Sequence, residues 1–257
     1  MVIEASVSGT HSSGQSTVVQ SFNDPALSEK HGVASPYGIS LIDVPVETWQ
    51  VEDETRLMPV LTVEEPYTYR AKQLGDLSLL GVNYSFSVQR DMELVAAANQ
   101  QRARPTLAKA FASLRASREV GDRLANMAVI LSDRGPVDGE VYSKLRVPDD
   151  NDDTHLGIPI RQIWREQLAT SVDCVFITNA DEVPFEPSEK RSNDMQFRHD
   201  ADEGIRGLYS GLSTNAVVEL SGTPKHRHDR VVATLSAMVN MPFVAYTPVT
   251  RYLRRAR

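Results

Sequence analysis

Residues 82–131 constrain this chain more than any other stretch. Val82, Tyr84, Phe86 and Val88 alternate with Asn83, Ser85 and Ser87, the period of a half-buried strand. Asp91 then fits the N-cap of a helix that carries Met92, Leu94, Val95 and Ala98. Pro105 should end or kink that helix, because it has no N–H and clashes with the preceding turn; it can equally open a second one. Leu107, Ala110, Phe111 and Leu114 follow at i, i+3, i+4 and i+7. Beyond Gly121, residues Leu124, Met127, Ala128 and Leu131 repeat the spacing. The expectation is one strand feeding two or three short helices, with Asp122 capping the last.

Elsewhere the pattern favours short strands. Residues 39–46 (interrupted by Pro45, hence an edge), 58–63, 67–69, 141–147, 216–220 and 243–249 all suit one. Residues 172–178 are the most apolar of them and suit a central strand. In residues 231–239 both periods fit. A strand is favoured, since Thr234, Ser236 and Asn240 would share the other face. Residues 160–168, with Trp164, suit a short amphipathic element, and residues 181–202 a polar excursion. Residues 5–24 are rich in Ser, Thr, Gly, Gln and Asn and bury too little apolar surface to order by themselves. The predicted organisation is a flexible polar arm (1–38), one domain (39–250) and a basic tail (251–257). The predicted class is α+β and β-rich: an antiparallel sandwich- or barrel-like body with a helical insertion over about residues 91–131.

Charge adds a second constraint. The 257 residues carry a net charge of −7, which argues against a uniform nucleic-acid-binding coat. Residues 41–65 hold seven acids against Arg56 alone, whereas residues 90–134 hold eight bases against five acids. Arg104, Arg115 and Arg118 would share one helical face, and Arg251, Arg254, Arg255 and Arg257 crowd the tail. These seven are the candidate contacts to nucleic acid or to another subunit. The single cysteine, Cys174, sits in an apolar run and allows no intrachain disulfide. The start of the chain lacks a signal-peptide layout, and no apolar run approaches the ~20 residues of a membrane span. A soluble protein of a reducing compartment, cytoplasmic or in a virion, is expected.

Motif chemistry is sparse. His226 and His228 would lie on one face of a strand and could bind zinc with help from His199, Asp200 or Asp229. Residues 149–153 supply calcium-loop oxygens but lack the glycine at position 6, where Thr154 stands, and the glutamate at position 12, where Ile160 stands. Gly204-Ile205-Arg206-Gly207 has the G-x-x-G form of an RNA-clamping loop. No glycine run is followed by Lys-Ser/Thr, which excludes a phosphate-binding P-loop. Ser210 lacks the flanking glycines of a nucleophile elbow, since position 212 is Leu. The leading expectation is a non-catalytic structural protein assembling with copies of itself, such as a capsid, shell or tail component, with no cofactor and no metal. A nucleic-acid-binding module and a metal-dependent enzyme around His226 and His228 are the alternatives.

Overall fold

The computed structural model describes residues 1–10, 13–48, 51–75, 86–135, 138–146, 172–183, 194–211 and 216–240. Its strands are β1 (Val2–Ser8), β2 (Tyr37–Thr48), β3 (Val51–Val63), β4 (Ala128–Asp133), β5 (Cys174–Thr178) and β6 (Ala216–Leu220). They form one sheet in the order β2-β3-β4-β1-β5-β6. β2 and β3 make an antiparallel hairpin; every other pairing is parallel. The helices are α1 (Gln15–Gln20), α2 (Pro25–Lys30), α3 (Pro66–Leu74), α4 (Phe86–Arg115), α5 (Asp138–Arg146), α6 (Met195–Gly211) and α7 (Pro224–Asn240).

Helices cover both faces. On one, α1 and α7 bring Val18, Val19, Val231 and Leu235 against Ile3, Ala5 and Val7 of β1, Val129 and Leu131 of β4, and Phe176 of β5. On the other, α4 sets Ala103, Leu107, Ala110 and Leu114 on Ile39, Leu61 and Ile130. Beside it, α5 and α6 set Val141, Tyr142, Ala201, Ile205 and Tyr209 on Val175 and Ile177. This layered, mostly parallel α/β architecture replaces the expected antiparallel sandwich or barrel. The reason is the two-sided burial that parallel strands with helical crossovers require.

The same physics accounts for the local corrections. In residues 124–131 the helical spacing is overruled: Ala128, Val129, Ile130 and Leu131 are all buried in β4, and a run apolar on both faces satisfies any period. Residues 231–239 are helical, with Val231 and Leu235 buried and Ala233 and Ala237 exposed. Residues 67–69 lie in α3, opened by Pro66 in the first turn, and residues 141–146 lie in α5. Phe86 and Val88 belong to α4 rather than a strand; residues 82–85, 147–171 and 241–257 lie outside the described residues, the candidate elements at 160–168 and 243–249 with them. Pro105 sits inside α4 without ending it. It is exposed, as is Gln101, four residues before it, so water can replace the lost helical bond. The strands at 39–46, 58–63, 172–178 and 216–220 are found, and Pro45 does lie on edge strand β2.

The expected arm is the largest surprise. Its first residues are β1, in the interior of the sheet, paired with β4 and β5. Glu4, Ser6 and Ser8 are buried too. Glu4 is ion-paired to Arg104 of α4, and Ser8 Oγ donates to Tyr209 Oη at 3.0 Å. Deleting residues 1–8 should therefore abolish the cooperative thermal transition seen by circular dichroism, where loss of a flexible arm would leave Tm unchanged.

Candidate active site

From β1 the chain runs to β2 and β3 on one side of the sheet, while from β4 it crosses to β5 on the other. The direction of winding reverses at β1. In open α/β sheets ligands bind outside the carboxyl ends of strands at such a reversal. Here the segments following β1, β3, β4, β5 and β6 are joined to one another by buried polar contacts.

The segment after β1 runs from Gly9 to Gly14 and enters α1 at Gln15. Gly14 has φ +83°, a left-handed conformation that favours glycine. A Cβ on Gly9 would collide with Thr178 Oγ1 and Ser13 Oγ. Ser13 Oγ donates to the Thr10 carbonyl at 2.8 Å and lies 2.6 Å from Thr178 Oγ1 on β5. Buried Arg227, in the first turn of α7, donates through Nη1 to the Ser13 carbonyl at 2.5 Å and through Nε to the Gly222 carbonyl at 3.0 Å. Arg198 of α6 is likewise buried and donates to the carbonyls of Ala180 and Val183 after β5.

Gln15 is buried within the loop. Turned so that its amide nitrogen meets acceptors, it donates to the Gly9 carbonyl at 2.9 Å and the Thr10 carbonyl at 3.1 Å. Ser16 follows and hydrogen-bonds to the carboxylate of Asp133 at the end of β4. Asp133 is 5% exposed, and among the described residues its Oδ1 has no hydrogen-bond partner; nor has Oγ1 of fully buried Thr10.

Next to Asp133, Arg134 adopts φ +86°, a conformation unfavourable for a residue with a Cβ. Its Nε donates to Glu65 Oε1 at 2.6 Å, its Nη1 to the Gly9 carbonyl at 3.3 Å, and its guanidinium lies 4.8 Å from the centre of the Tyr142 ring. Thr68 holds the other oxygen of Glu65 at 2.8 Å. Asp138, at the start of α5, accepts from the Gly135 N–H at 3.3 Å and from Tyr209 at 3.0 Å. Three carboxylates (Glu65, Asp133 and Asp138) thus surround one buried arginine.

Electrostatics follow from that crowding. Burial, and after it the Glu65 charge, pushes Asp133 up to about 7 against the pull of Ser16 and Arg134. Burial raises Asp138 to about 6, while Arg134 and Tyr209 draw it down. Burial alone would lower Arg134, but Tyr142, Glu65 and Asp138 raise it further still.

The pattern Gly9-x4-Gly14-x-Ser16, after a strand and before a helix, with a carboxylate at the end of a neighbouring strand, is that of a phosphate-binding loop. It departs at one position, where Gln15 stands for lysine. That departure hid it: a search requiring Lys-Ser/Thr passes over it. The donor set fits a magnesium ion with a nucleoside triphosphate in one respect, a buried carboxylate oxygen without a partner beside a hydroxyl. It does not supply the loop cation.

The residues proposed from sequence lie elsewhere. Arg104 of α4 pairs with buried Glu4 of β1. Arg115 donates to Asn126 at 2.9 Å and covers Phe111. Arg118 is exposed in the turn after α4 rather than on its face. The four tail arginines (Arg251, Arg254, Arg255 and Arg257) and residues 149–153 lie outside the described residues. His228 Nδ1 meets Ser21 Oγ at 2.7 Å and its ring stacks on Phe22, whereas His226 is exposed. His199 pairs with Glu203 at 3.4 Å. Among the described residues no group of three His, Cys, Asp or Glu side chains could hold a metal. Gly204, Gly207 and Ser210 are residues of helix α6, not of a clamping loop. Among the described residues no helix is long and apolar enough to cross a membrane.

No protein-family model matches the chain, and no curated protein does. Among solved structures it is similar to the NadR protein in complex with NR, at 13% identity and a TM-score of 0.51, over 94% of this chain and 52% of that one. The chain therefore spans about half the length of that structure. A second similar structure is EHV4-TK complexed with TP5A, at 13% identity and a TM-score of 0.33, over 92% and 91% of the two chains. The first likeness establishes a Rossmann-like α/β fold, with a mixed, mostly parallel six-stranded sheet and helices on both sides. The expected non-catalytic capsid or shell component is overturned with the sandwich it was built on: the likeness that holds is to the NadR structure, not to a shell protein.

The buried acid yields a sign-specific expectation. A carboxylate raised by folding destabilises the fold progressively as pH climbs from its unfolded value near 4, and fully above about 7. In EDTA, Asp133→Asn should stabilise the protein by about 1–3 kcal/mol at pH 8 and much less at pH 4.5. Urea unfolding at the two pH values would show it; equal effects at both would contradict the buried charge.

Proposed function

We propose that this chain is a kinase-like phosphoryl transferase, which binds a magnesium-nucleoside triphosphate at residues 9–16 and passes the terminal phosphoryl group to the hydroxyl of a small nucleoside-like acceptor. One observation carries the reading: the Gly9–Gly14 loop and Ser16 sit at the winding reversal beside the buried, unpartnered oxygen of Asp133. The similarity to a structure solved with NR supports the acceptor class.

The roles follow from placement. Backbone N–H groups of the loop would cradle the phosphates, as glycine lets the backbone approach closely. Asp133 and Ser16 would hold the magnesium ion, which on binding neutralises charge developing between the phosphates. Glu65, held after β3 by Arg134 and Thr68 at the same end of the sheet as the loop, is the residue this reading assigns as base. The Glu65 carboxylate takes the proton of the acceptor hydroxyl. That oxygen bonds to the terminal phosphorus as the bond to the bridging oxygen breaks, and a nucleoside diphosphate leaves. Arg134 and Thr68 fix Glu65 in place.

A panel of nucleosides incubated with magnesium-ATP should yield ADP and a monophosphate with at least one member. Glu65→Gln should lower kcat about 10²- to 10⁴-fold with a far smaller change in nucleotide affinity, and Asp133→Ala should remove magnesium-dependent binding. Turnover unchanged in Glu65→Gln would remove that residue from the chemistry, and no nucleotide binding by the unmodified chain would remove the function.

A further inference from the structure

A loop lysine normally does two things for a bound triphosphate: it ties down the loop and it places a positive charge on the terminal phosphates. Gln15 keeps the first. A side-chain amide has two N–H donors, and, turned as above, its nitrogen meets three acceptors inside the loop: the Gly9 carbonyl at 2.9 Å, Ser13 Oγ at 3.0 Å and the Thr10 carbonyl at 3.1 Å. No donor is left over, and the group is neutral. A second side chain reaches the same Gly9 carbonyl. Arg134 Nη1 donates to it at 3.3 Å, so a buried guanidinium stands against the first glycine of the loop where position 15 offers no charge. The left-handed backbone of Arg134, φ +86°, is the kind of local cost retained at functional positions when surrounding contacts hold it. Glu65 and Tyr142 provide those contacts.

We infer that Arg134 supplies the cation that Gln15 lacks, so that the terminal phosphate of the donor is met by a residue after β4 instead of by the loop. This deepens the reading above and rests on it. The arrangement makes binding depend jointly on Arg134 and on magnesium. It also makes the residue that holds the base and the residue that meets the phosphate one and the same. Arg134 is thereby a positioning residue for Glu65 and a binding residue for the donor.

The test is a double-mutant cycle read by binding, independent of turnover. Magnesium-ATP carrying a fluorescent ribose label is titrated into the full chain and into Gln15→Lys, Arg134→Lys and the double variant, with thermal melts confirming that each is folded. Gln15→Lys should tighten binding about tenfold, because an ammonium adds a charge and a third donor. Arg134→Lys should weaken it about tenfold in the natural background and less than about threefold in the Gln15→Lys background, the non-additivity expected of groups sharing one partner. Equal losses in both backgrounds, or no loss from Arg134→Lys in the natural background, would overturn the inference while leaving the nucleotide reading intact. Absence of binding in all four proteins would overturn both. If Arg134→Lys does not fold, Arg134→Gln takes its place in the same cycle.

Discussion

Arg134 ties three strand ends together. It follows β4, donates to Glu65 after β3 and to the Gly9 carbonyl after β1, and lies over Tyr142 of α5. A buried guanidinium is tolerable only when its donors are met, and here the partners that meet it are the edges of the site. The left-handed backbone at this position costs on the order of 1 kcal/mol and places the side chain among them. Around this centre, Ser13, Thr178, Arg227 and Arg198 bind the remaining strand ends to one another through carbonyl and hydroxyl contacts. The groups that make the site polar are thus the ones that tie the strand ends together.

This crowding of polar groups has a counterpart in stability. Asp133 and Asp138 are both buried and raised, so near neutral pH these two side chains carry charge that the fold would shed by taking up protons. A bound cation relieves the cost at Asp133, and binding is then coupled to stability through mass action. Apolar packing on both faces of the sheet, from Val7, Leu131 and Phe176 on one side and Leu61, Ile130 and Ile177 on the other, holds the strands while their ends carry this strain.

Much of the sheet was legible in the sequence. Strands β2, β3, β5 and β6 announce themselves by alternation or by apolar runs, and Pro45 marks an edge. What misled was two-sided burial. Val129, Ile130 and Leu131 point to both faces, so β4 carries no period that distinguishes strand from helix. The pattern at β1 was legible but went unread: Ile3, Ala5 and Val7 alternate with Glu4, Ser6 and Ser8. It looked like an arm because its second face is polar, and that face is buried through Arg104 and Tyr209, 100 and 201 residues from their partners Glu4 and Ser8. The candidate site failed to register for a chemical reason. The spacing of Gly9, Gly14 and Ser16 was present, but the lysine that gives such loops their signal was not. The charge that stands in for it, Arg134, is brought near only by the pairing of β1 with β4. The basic residues that stood out, Arg104 and Arg115, spend their charge on in-chain partners.

Hydrogen exchange in the presence and absence of magnesium-ATP tests the central claim most directly, because it reports where a nucleotide sits. If the loop after β1 and the end of β4 form the binding site, amides in residues 9–16 and 133–135 slow by about tenfold or more on adding the complex, and the protection disappears with EDTA. Protection confined to other segments, or none at saturating nucleotide, would contradict the account.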